Sequence, residues 1–197
     1  MMPAFLFLIV LLLLVMQYKQ LRSFVSEKAM PISMVPRSPD GQAEIQARIR
    51  SFFADTAADT LSISREELNH LIRTSEALNE LKLDYHLDLE DSLLVARNSL
   101  PVTSMHGLPA LLAKVTGIKG YLNSVMKGYP ELKDGRITMI PVSAVMNGVP
   151  APADVLTSKG VLDLREWVAD KAFYDQAVAS LAGVEIRAGR LLLIKRT

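Results

Sequence analysis

The stretch that sets the fold is Leu81-Lys82-Leu83-Asp84-Tyr85-His86-Leu87-Asp88-Leu89-Glu90, in which apolar and polar side chains alternate. Successive side chains of a β-strand point to opposite faces, so alternation of this length predicts a strand with one buried and one solvated face. A turn candidate, Glu90-Asp91-Ser92, follows, and the apolar run Leu93-Leu94-Val95-Ala96 comes directly after it. We therefore predict an antiparallel hairpin whose second strand ends at Pro101.

Helices are predicted on both sides of this hairpin. The first covers Gln42–Asp55, and the second begins near Arg65, after the capping box Ser64-Arg65-Glu66-Glu67. Helical spacing of apolar residues also predicts a short helix over Gly117–Lys127 and a long one over Asp163–Leu181.

Further strands are predicted towards the C-terminus. Asp134-Gly135 is a turn signal before a strand over Arg136–Met146, and the slipped alternation at Met139-Ile140-Pro141 predicts a bulge or an edge position there. Asn147-Gly148 predicts a turn with Gly148 at positive φ. Two closing strands, Val184–Arg187 and Leu191–Ile194, flank a turn at Gly189. Together these elements predict an α+β domain with a curved antiparallel sheet packed against helices.

The N-terminal residues are strongly apolar. Residues 1–16 carry no charged or polar side chain, and a helix over Pro3–Tyr18 would span about 24 Å, close to the ~30 Å hydrocarbon core of a bilayer. A signal peptide needs a basic region before the apolar run and a small-residue cleavage site after it, and neither is present. A buried core helix is the other alternative, although such helices are rarely apolar on every face. We predict a transmembrane helix.

This prediction divides the chain into three parts. Residues 1–20 form the transmembrane anchor, residues 21–41 form a connector interrupted by Pro31, Pro36 and Pro39, and residues 42–197 form the α+β domain. The anchor makes the membrane the first predicted partner of the chain.

Composition narrows the classes of function. The chain has 197 residues and no cysteine, which excludes disulfides, thiolate zinc sites and cysteine nucleophiles. Its net charge is +1, from 22 basic and 21 acidic residues that are interspersed along the sequence. Nucleic-acid binders usually carry a basic stripe, so we predict no nucleic-acid partner.

The sequence contains one polar cluster of chemical interest. Asp84, His86 and Asp88 share one strand face at spacings of about 6.5–7 Å, from which a divalent cation could recruit two ligands. The alternative is a solvent-exposed face, which also explains Lys82 and Glu90. No H-E-x-x-H, G-x-S-x-G or P-loop signature is present. We therefore predict no enzyme, no cofactor, and no catalytic or metal-binding residue, and we assign no ligand-binding residue.

Two asparagines stand out because asparagine is a poor helix-interior residue. Asn69 and Asn123 each follow a leucine within a predicted helix. One interpretation is an exposed or locally bonded side chain. The other is a structural hydrogen bond to a neighbouring strand or loop.

Several short motifs occur in a characteristic order. They are Leu68-Asn69-His70-Leu71-Ile72, Asp91-Ser92-Leu93 with Ser99-Leu100-Pro101, Gly120-Tyr121-Leu122-Asn123, Asp134-Gly135-Arg136-Ile137 and Val145-Met146-Asn147-Gly148-Val149-Pro150-Ala151-Pro152. This order resembles uncharacterised single-anchor bacterial envelope proteins with LNxL, YLN and VNGxPxP motifs, over about Leu61–Leu156. In pattern alone, the chain is more distantly similar to extracytoplasmic domains compared with tubular lipid-binding proteins. There, a curved sheet wraps a long helix around an apolar groove.

The resemblance and the charges disagree about the side of the membrane. Lys19, Arg22, Lys28 and Arg37 all follow the apolar run, and the positive-inside rule would place the domain in the cytoplasm. The resemblance implies an extracytoplasmic domain without known catalysis. We predict a single-pass protein of the bacterial inner membrane with its domain outside the cytoplasm.

Two functions fit these predictions. The first is a membrane-anchored, non-enzymatic envelope domain that binds a lipid or another apolar ligand. The alternative is a structural or assembly protein that docks an envelope partner. A lipid binder needs an apolar groove of about 300 Å³ or more, whereas a docking protein needs an exposed apolar patch.

Overall fold

The computed structural model describes residues 22, 25–32, 39–54, 58–73, 84–104, 117, 119–151, 165 and 170–196. Strands take up 50% of this part of the chain and helices 30%. The helices within these ranges are α1 (Pro39–Ala54), α2 (Arg65–Ile72) and α3 (Lys171–Ala179), with a 3-10 turn over Val102–Ser104. The strands are β1 (Thr60–Ser64), β2 (Asp84–Glu90), β3 (Leu93–Pro101), β4 (Tyr121–Lys133), β5 (Arg136–Met146), β6 (Val149–Pro150), β7 (Leu181–Arg187) and β8 (Arg190–Lys195).

The strands form two antiparallel sheets. The large sheet has the order β2-β3-β4-β5-β6 and the small sheet the order β1-β8-β7. Tight turns join most neighbouring strands, and the turn residues Asp91, Asp134, Asn147 and Ala188 all have positive φ. Such turns match the twist of the flanking strands, so the local sequence sets much of the register.

One hydrophobic core lies between the two sheets and the helices. We call the side of the large sheet that faces it the inner face and the opposite side the outer face. The core side chains come from every layer and include Ile45, Phe52, Leu61, Ile63, Leu68, Ile72, Leu87, Leu94, Ala96, Ile137, Met139, Tyr174, Val178, Leu181, Ile186, Leu191 and Leu193. The two sheets therefore stabilise each other through shared apolar burial.

Several sequence predictions are confirmed. β2 and β3 form the predicted hairpin, β3 ends at Pro101, and β5 has the predicted bounds. α2 begins at Arg65 after a complete capping box: the Ser64 hydroxyl accepts from the Glu67 N–H, and the Ser64 N–H donates to the Glu67 carboxylate. The two closing strands also form, as β7 and β8.

The predicted fold class is wrong. The α+β domain with an N-terminal transmembrane helix is replaced, in the described residues, by a mainly β structure of two antiparallel sheets with short helices. No helix among these residues is long and apolar enough to cross a membrane. The predicted anchor, residues 1–20, lies outside the described residues.

The largest local error concerns Gly117–Lys127. The predicted helix is absent, and Tyr121–Lys133 forms β4 instead. β4 lies at the centre of the large sheet, between β3 and β5. Both of its faces carry apolar as well as polar residues, so it lacks the alternation that identifies a strand in sequence.

Two helix boundaries also differ from prediction. α1 begins at Pro39 rather than Gln42, because proline is well tolerated at the first helical position. α3 covers only Lys171–Ala179, since Asp170 caps its N-terminus and Leu181 already starts β7. Most of the preceding part of the predicted helix lies outside the described residues.

The predicted irregularity in β5 is close to a real one. Lys127 pairs with Ser143 whereas Gly128 pairs with Pro141, so Val142 is the extra residue of a β-bulge. A Cβ on Gly128 would overlap the Ile140 carbonyl oxygen and the Met139 side chain. The bulge therefore depends on a glycine in the facing strand.

Candidate functional site

The predicted polar cluster lies on the outer face of the large sheet. Asp88 accepts a hydrogen bond from Arg97 Nε at 3.1 Å, and its other oxygen lies 3.4 Å from both His86 Nε2 and Arg65 Nη1. Glu90 joins the same network, with one oxygen 3.0 Å from Arg97 Nη2 and the other 2.7 Å from Lys127 Nζ. We call these side chains the charged network.

The electrostatics of the charged network favour ionised carboxylates. Burial would raise the pKa of Asp88, but the hydrogen bond from Arg97 and the neighbouring positive charges outweigh it and hold that pKa below its usual range. Since guanidinium and ammonium groups already occupy these carboxylates, the network is built as a set of internal ion pairs. No group of His, Cys, Asp or Glu suited to a metal ion occurs among the described residues.

The expectation that His86 faces water is wrong. Only 9% of His86 is exposed, although it lies on the outer face. Its register partner Arg97 lies beside it, and Val95, further along β3, is completely buried on the same face. Long charged side chains can cover an apolar neighbour with their aliphatic stems. Asp84 lies at the start of β2, but its side chain is outside the described part of the structure.

Asn69 makes the structural hydrogen bonds that were one of its two interpretations. Its carboxamide is 3% exposed and bonds both backbone groups of Leu87, in β2. Its Nδ2 also donates to the Arg65 carbonyl at 2.8 Å, within α2. Asn69 therefore ties α2 to the edge of the large sheet, where backbone groups would otherwise lack partners.

Asn123 also forms side-chain hydrogen bonds to backbone groups, but from β4 rather than from α2. Its Oδ1 accepts from the Met30 N–H at 2.9 Å and from the Ser99 hydroxyl at 2.7 Å. Its Nδ2 donates to the Lys28 carbonyl at 3.0 Å. One side chain thus holds a chain segment that lies almost a hundred residues away in sequence.

We call the segment Val25–Met30 the strap. Besides the Asn123 contacts, it pairs with the first residue of β4: the Ser26 N–H donates to the Tyr121 carbonyl, and the Tyr121 N–H donates to the Ser26 carbonyl, both at 2.8 Å. Gly120 has a φ of +143°, and a Cβ there would overlap the Ser26 carbonyl oxygen. Glycine is therefore required for the strap to lie this close to the sheet.

The turn after β5 closes this end of the domain. Asn147 donates through Nδ2 to the Tyr121 carbonyl at 3.1 Å and accepts through Oδ1 from the Asn123 N–H at 3.1 Å. Both Asn147 and Gly148 have positive φ, which confirms the predicted turn. We call the strap, Gly120, Tyr121 and the Asn147-Gly148 turn the strap end of the domain.

The outer face also carries exposed apolar side chains. Tyr129 and Ile140 are cross-strand partners in β4 and β5, and they are 47% and 45% exposed. Val142, in the bulge, is 52% exposed. We call these three residues the apolar strip. They lie beyond the charged network along the same face, since Tyr129 follows Lys127 by two residues in β4.

The edge of β5 next to the apolar strip is poorly suited to pairing with another strand. The Ile137 N–H donates to the Tyr174 hydroxyl at 2.9 Å and so points away from β4. Alternate residues of an edge strand share this direction, so Pro141 also faces outward, where it has no N–H to donate. The bulge interrupts the same edge. This edge therefore offers few backbone groups to another strand.

One apolar cavity among the described residues is small. This cavity lies between the sheets, is lined by Leu87, Met139 and Leu191 among others, and holds about 10 Å³. This is roughly the room that one water molecule needs and far below the ~300 Å³ of a small-molecule site.

Sequence reasoning identified some of these residues and missed others. His86 and Asp88 were identified as a cluster, but their partner Arg97 was missed, although a turn at Asp91-Ser92 already implies a register with Arg97 opposite His86. Asn123 makes the structural hydrogen bonds that were one of its two interpretations, but it lies in β4 and not in the predicted helix. No local signal in the sequence indicates the contact between Asn123 and Lys28.

Comparisons of the chain with protein-family models, with curated proteins and with solved structures give no significant match. The resemblance to single-anchor envelope proteins therefore stays a prediction.

Proposed function

We propose that this chain is a membrane-tethered, non-enzymatic domain of the bacterial envelope that docks a protein partner on its outer face. The apolar strip carries the proposal, because Tyr129 and Ile140 are cross-strand partners on the outer face, Val142 follows Ile140 by two residues, and each is about half exposed. Large apolar side chains grouped at a surface mark interaction sites more often than single ones do. The partner is expected to present an apolar surface to the strip.

The cavity that the described residues enclose gives no support to storage of a lipid between the sheets. The cavity between the sheets holds about 10 Å³, so a lipid chain has no room there without separation of the sheets. The charged network gives the partner a polar rim next to the strip, where ion pairs add specificity more than affinity.

A non-enzymatic role is supported by the ion pairs and hydrogen bonds that the polar side chains make within the domain. The Asp88 and Glu90 carboxylates contact Arg97, Arg65 and Lys127, and the Asn69 and Asn123 carboxamides are hydrogen-bonded to backbone. These groups perform structural tasks that leave little capacity for acid–base chemistry on a substrate.

The membrane tether is supported by the sequence of residues 1–16, which has no charged or polar side chain. Alkaline carbonate extraction of bacterial membranes tests it: the chain should stay in the membrane pellet. A Leu11→Arg, Leu13→Arg variant should move to the soluble fraction, because charges in an apolar span are costly. Release of the unaltered chain would contradict the tether.

We further propose that the domain lies outside the cytoplasm. The support is the motif order shared with single-anchor envelope proteins, and the basic residues after the apolar run argue the other way. A reporter active only outside the cytoplasm, fused after Thr197, should be active. Activity of a cytoplasmic reporter at the same position, with a silent export reporter, would reverse the assignment.

Site-specific photo-crosslinking tests docking directly. A crosslinking residue at Ile140 of the full chain should give an adduct of one discrete protein mass in living cells. The matched control is Glu44, which is exposed on α1, the helix that places Ile45 in the core. Protein adducts of equal yield at both positions would contradict a specific docking face, and a lipid adduct at Ile140 would favour lipid binding instead.

A further inference from the structure

The strap fixes which end of the domain follows the apolar segment. Ser26 is held to Tyr121 by two backbone hydrogen bonds of 2.8 Å, and Asn123 holds Lys28 and Met30. Met16 ends the apolar run ten residues before Ser26. Since an extended chain covers at most about 3.5 Å per residue, Ser26 lies within about 35 Å of the end of that run.

The other end of the large sheet is far from this point. β4 runs for 13 residues from Tyr121 to Lys133. At about 3.3 Å per residue, the β4–β5 turn lies about 40 Å along the strand from Tyr121. The strap end is therefore the end of the large sheet that follows the tether directly along the chain, and the β4–β5 turn is the opposite end.

The strap end carries exposed positive charge. Lys28 is exposed on the strap, and Lys119 is exposed next to Gly120. Arg22, three residues before the strap, is also exposed, and Glu27 is the acidic residue among residues 25–32. In the ranges that the structure describes, neither the Lys28 nor the Lys119 ammonium group takes part in an ion pair.

An exposed apolar side chain lies at the same end. Val149 follows the Asn147-Gly148 turn and is 41% exposed. Asn147 ties this turn to the Tyr121 carbonyl, so Val149 is positioned relative to the strap. Basic residues beside an exposed apolar one are the combination that favours contact with the headgroup region of an anionic bilayer.

We infer that the strap end lies against the membrane surface, where Lys28 and Lys119 bind the phosphate groups of anionic lipids. This inference rests on the proposed tether and adds an orientation to it. The long axis of β4 then points away from the bilayer and carries the apolar strip outward, where a partner can reach it.

The absence of cysteine allows a direct test with the full chain. A fluorophore on Val149→Cys reports the strap end, and one on Lys133→Cys reports the distant turn. The chain is placed in nanodiscs that contain a headgroup nitroxide quencher, either with neutral phosphatidylcholine alone or with about 30% phosphatidylglycerol. The Val149→Cys label should be quenched at least twofold more than the Lys133→Cys label in anionic discs.

Charge variants then identify the contact. Lys28→Gln with Lys119→Gln should lower quenching of the Val149→Cys label in anionic discs to its value in neutral discs. Lys133→Gln, which removes an equally exposed lysine at the distant end, should leave that quenching unchanged. Because these lysines make no described side-chain contacts, thermal melting should be the same in all variants.

The outcomes separate this inference from the proposed function. Retention in discs with equal quenching of both labels, or with no effect of the Lys28 and Lys119 variants, would overturn the orientation and leave the tether standing. Failure of the chain to enter discs would overturn the tether, and the inference with it.

Discussion

The carboxamide of Asn69 bonds both backbone groups of Leu87: its Oδ1 accepts from the Leu87 N–H at 2.8 Å, and its Nδ2 donates to the Leu87 carbonyl at 2.7 Å. An edge strand offers such groups to whatever lies beside it, and here a side chain takes the place of a neighbouring strand. Leu87 itself is 0% exposed, so Asn69 and not solvent satisfies these groups in the folded chain.

Replacement of Asn69 should be costly. Asn69→Ala leaves a buried N–H and a buried carbonyl without partners and should lower the free energy of unfolding by about 2–4 kcal/mol. Chemical denaturation in mild detergent measures this change. Gln46→Ala, at an exposed position of α1, is the control and should change stability by less than about 0.5 kcal/mol.

Asn69→Asp gives a sharper version of this test. A carboxylate can accept from the Leu87 N–H, but it repels the Leu87 and Arg65 carbonyl oxygens to which Asn69 Nδ2 donates. Protonation restores a donor, so the loss of stability relative to the unaltered chain should be larger at pH 7.5 than at pH 4.5. A loss that does not vary with pH would show that these bonds are not what Asn69 contributes.

Release of the strap should make the peptide bond after Lys28 accessible to trypsin. Asn123→Ala removes the acceptor of the Met30 N–H and the donor to the Lys28 carbonyl. Limited proteolysis of the full chain should then cut after Lys28 at least tenfold faster. Asn98→Ala, a half-buried asparagine of β3, is the matched control. Equal cleavage rates in the two variants would mean that Asn123 does not hold the strap.

The sequence alone predicted the structural features that depend on residues close together along the chain. The β2–β3 hairpin, the Ser64 capping box and the Asn147-Gly148 turn are local features, and each was predicted with its residues. The alternation of β2 is visible because one of its faces is polar. These features fix the hairpins but not the way in which the two sheets pack together.

The features that could not be predicted from the sequence depend on residues that lie far apart in the chain. β4 carries apolar and polar residues on both faces, so its apolar residues follow no strand period, and their spacing happens to match a helix. His86 lies opposite Arg97 of the adjacent strand, and the strap is held by a contact between Asn123 and Lys28. Tertiary contacts override local propensity at such positions.

Acid should weaken the junction between α1 and α2. Burial would raise the pKa of Glu67, but hydrogen bonds from Arg48 and from the Ser64 N–H outweigh it and hold that pKa below 4.5. A carboxylate with a depressed pKa stabilises the fold above its unfolded-state pKa, and this stabilisation is lost as the pH falls through the folded value. The melting temperature should therefore fall as the pH drops below about 4.5.

Glu67→Gln should remove part of this dependence. It should lower stability at pH 7 by about 1–2 kcal/mol and make the melting temperature less sensitive to pH below 4.5. Thermal melts from pH 7 to pH 3 measure both effects. Glu44→Gln, at an exposed site of α1, should leave the pH profile unchanged. A profile for Glu67→Gln as steep as that of the unaltered chain would assign the acid response to other groups.

Gly128 and Gly183 offer a matched pair of substitutions, because both glycines lie in strands and neither has a positive φ. A Cβ on Gly128 would overlap the Ile140 carbonyl oxygen, which is backbone and cannot move without disturbing the bulge. A Cβ on Gly183 would meet no atom within 4 Å. Gly128→Ala should therefore lower the free energy of unfolding by about 2 kcal/mol or more, as overpacking does. Gly183→Ala should be neutral or raise it by about 0.4–1 kcal/mol, since alanine restricts the unfolded chain. Denaturation of both variants gives the two values.

Because Gly128 pairs across the bulge that presents Val142, Gly128→Ala should also reduce crosslinking from Ile140, whereas Gly183→Ala should not. Similar stabilities for the two variants would show that the bulge tolerates a side chain at Gly128 and that its geometry does not depend on that glycine.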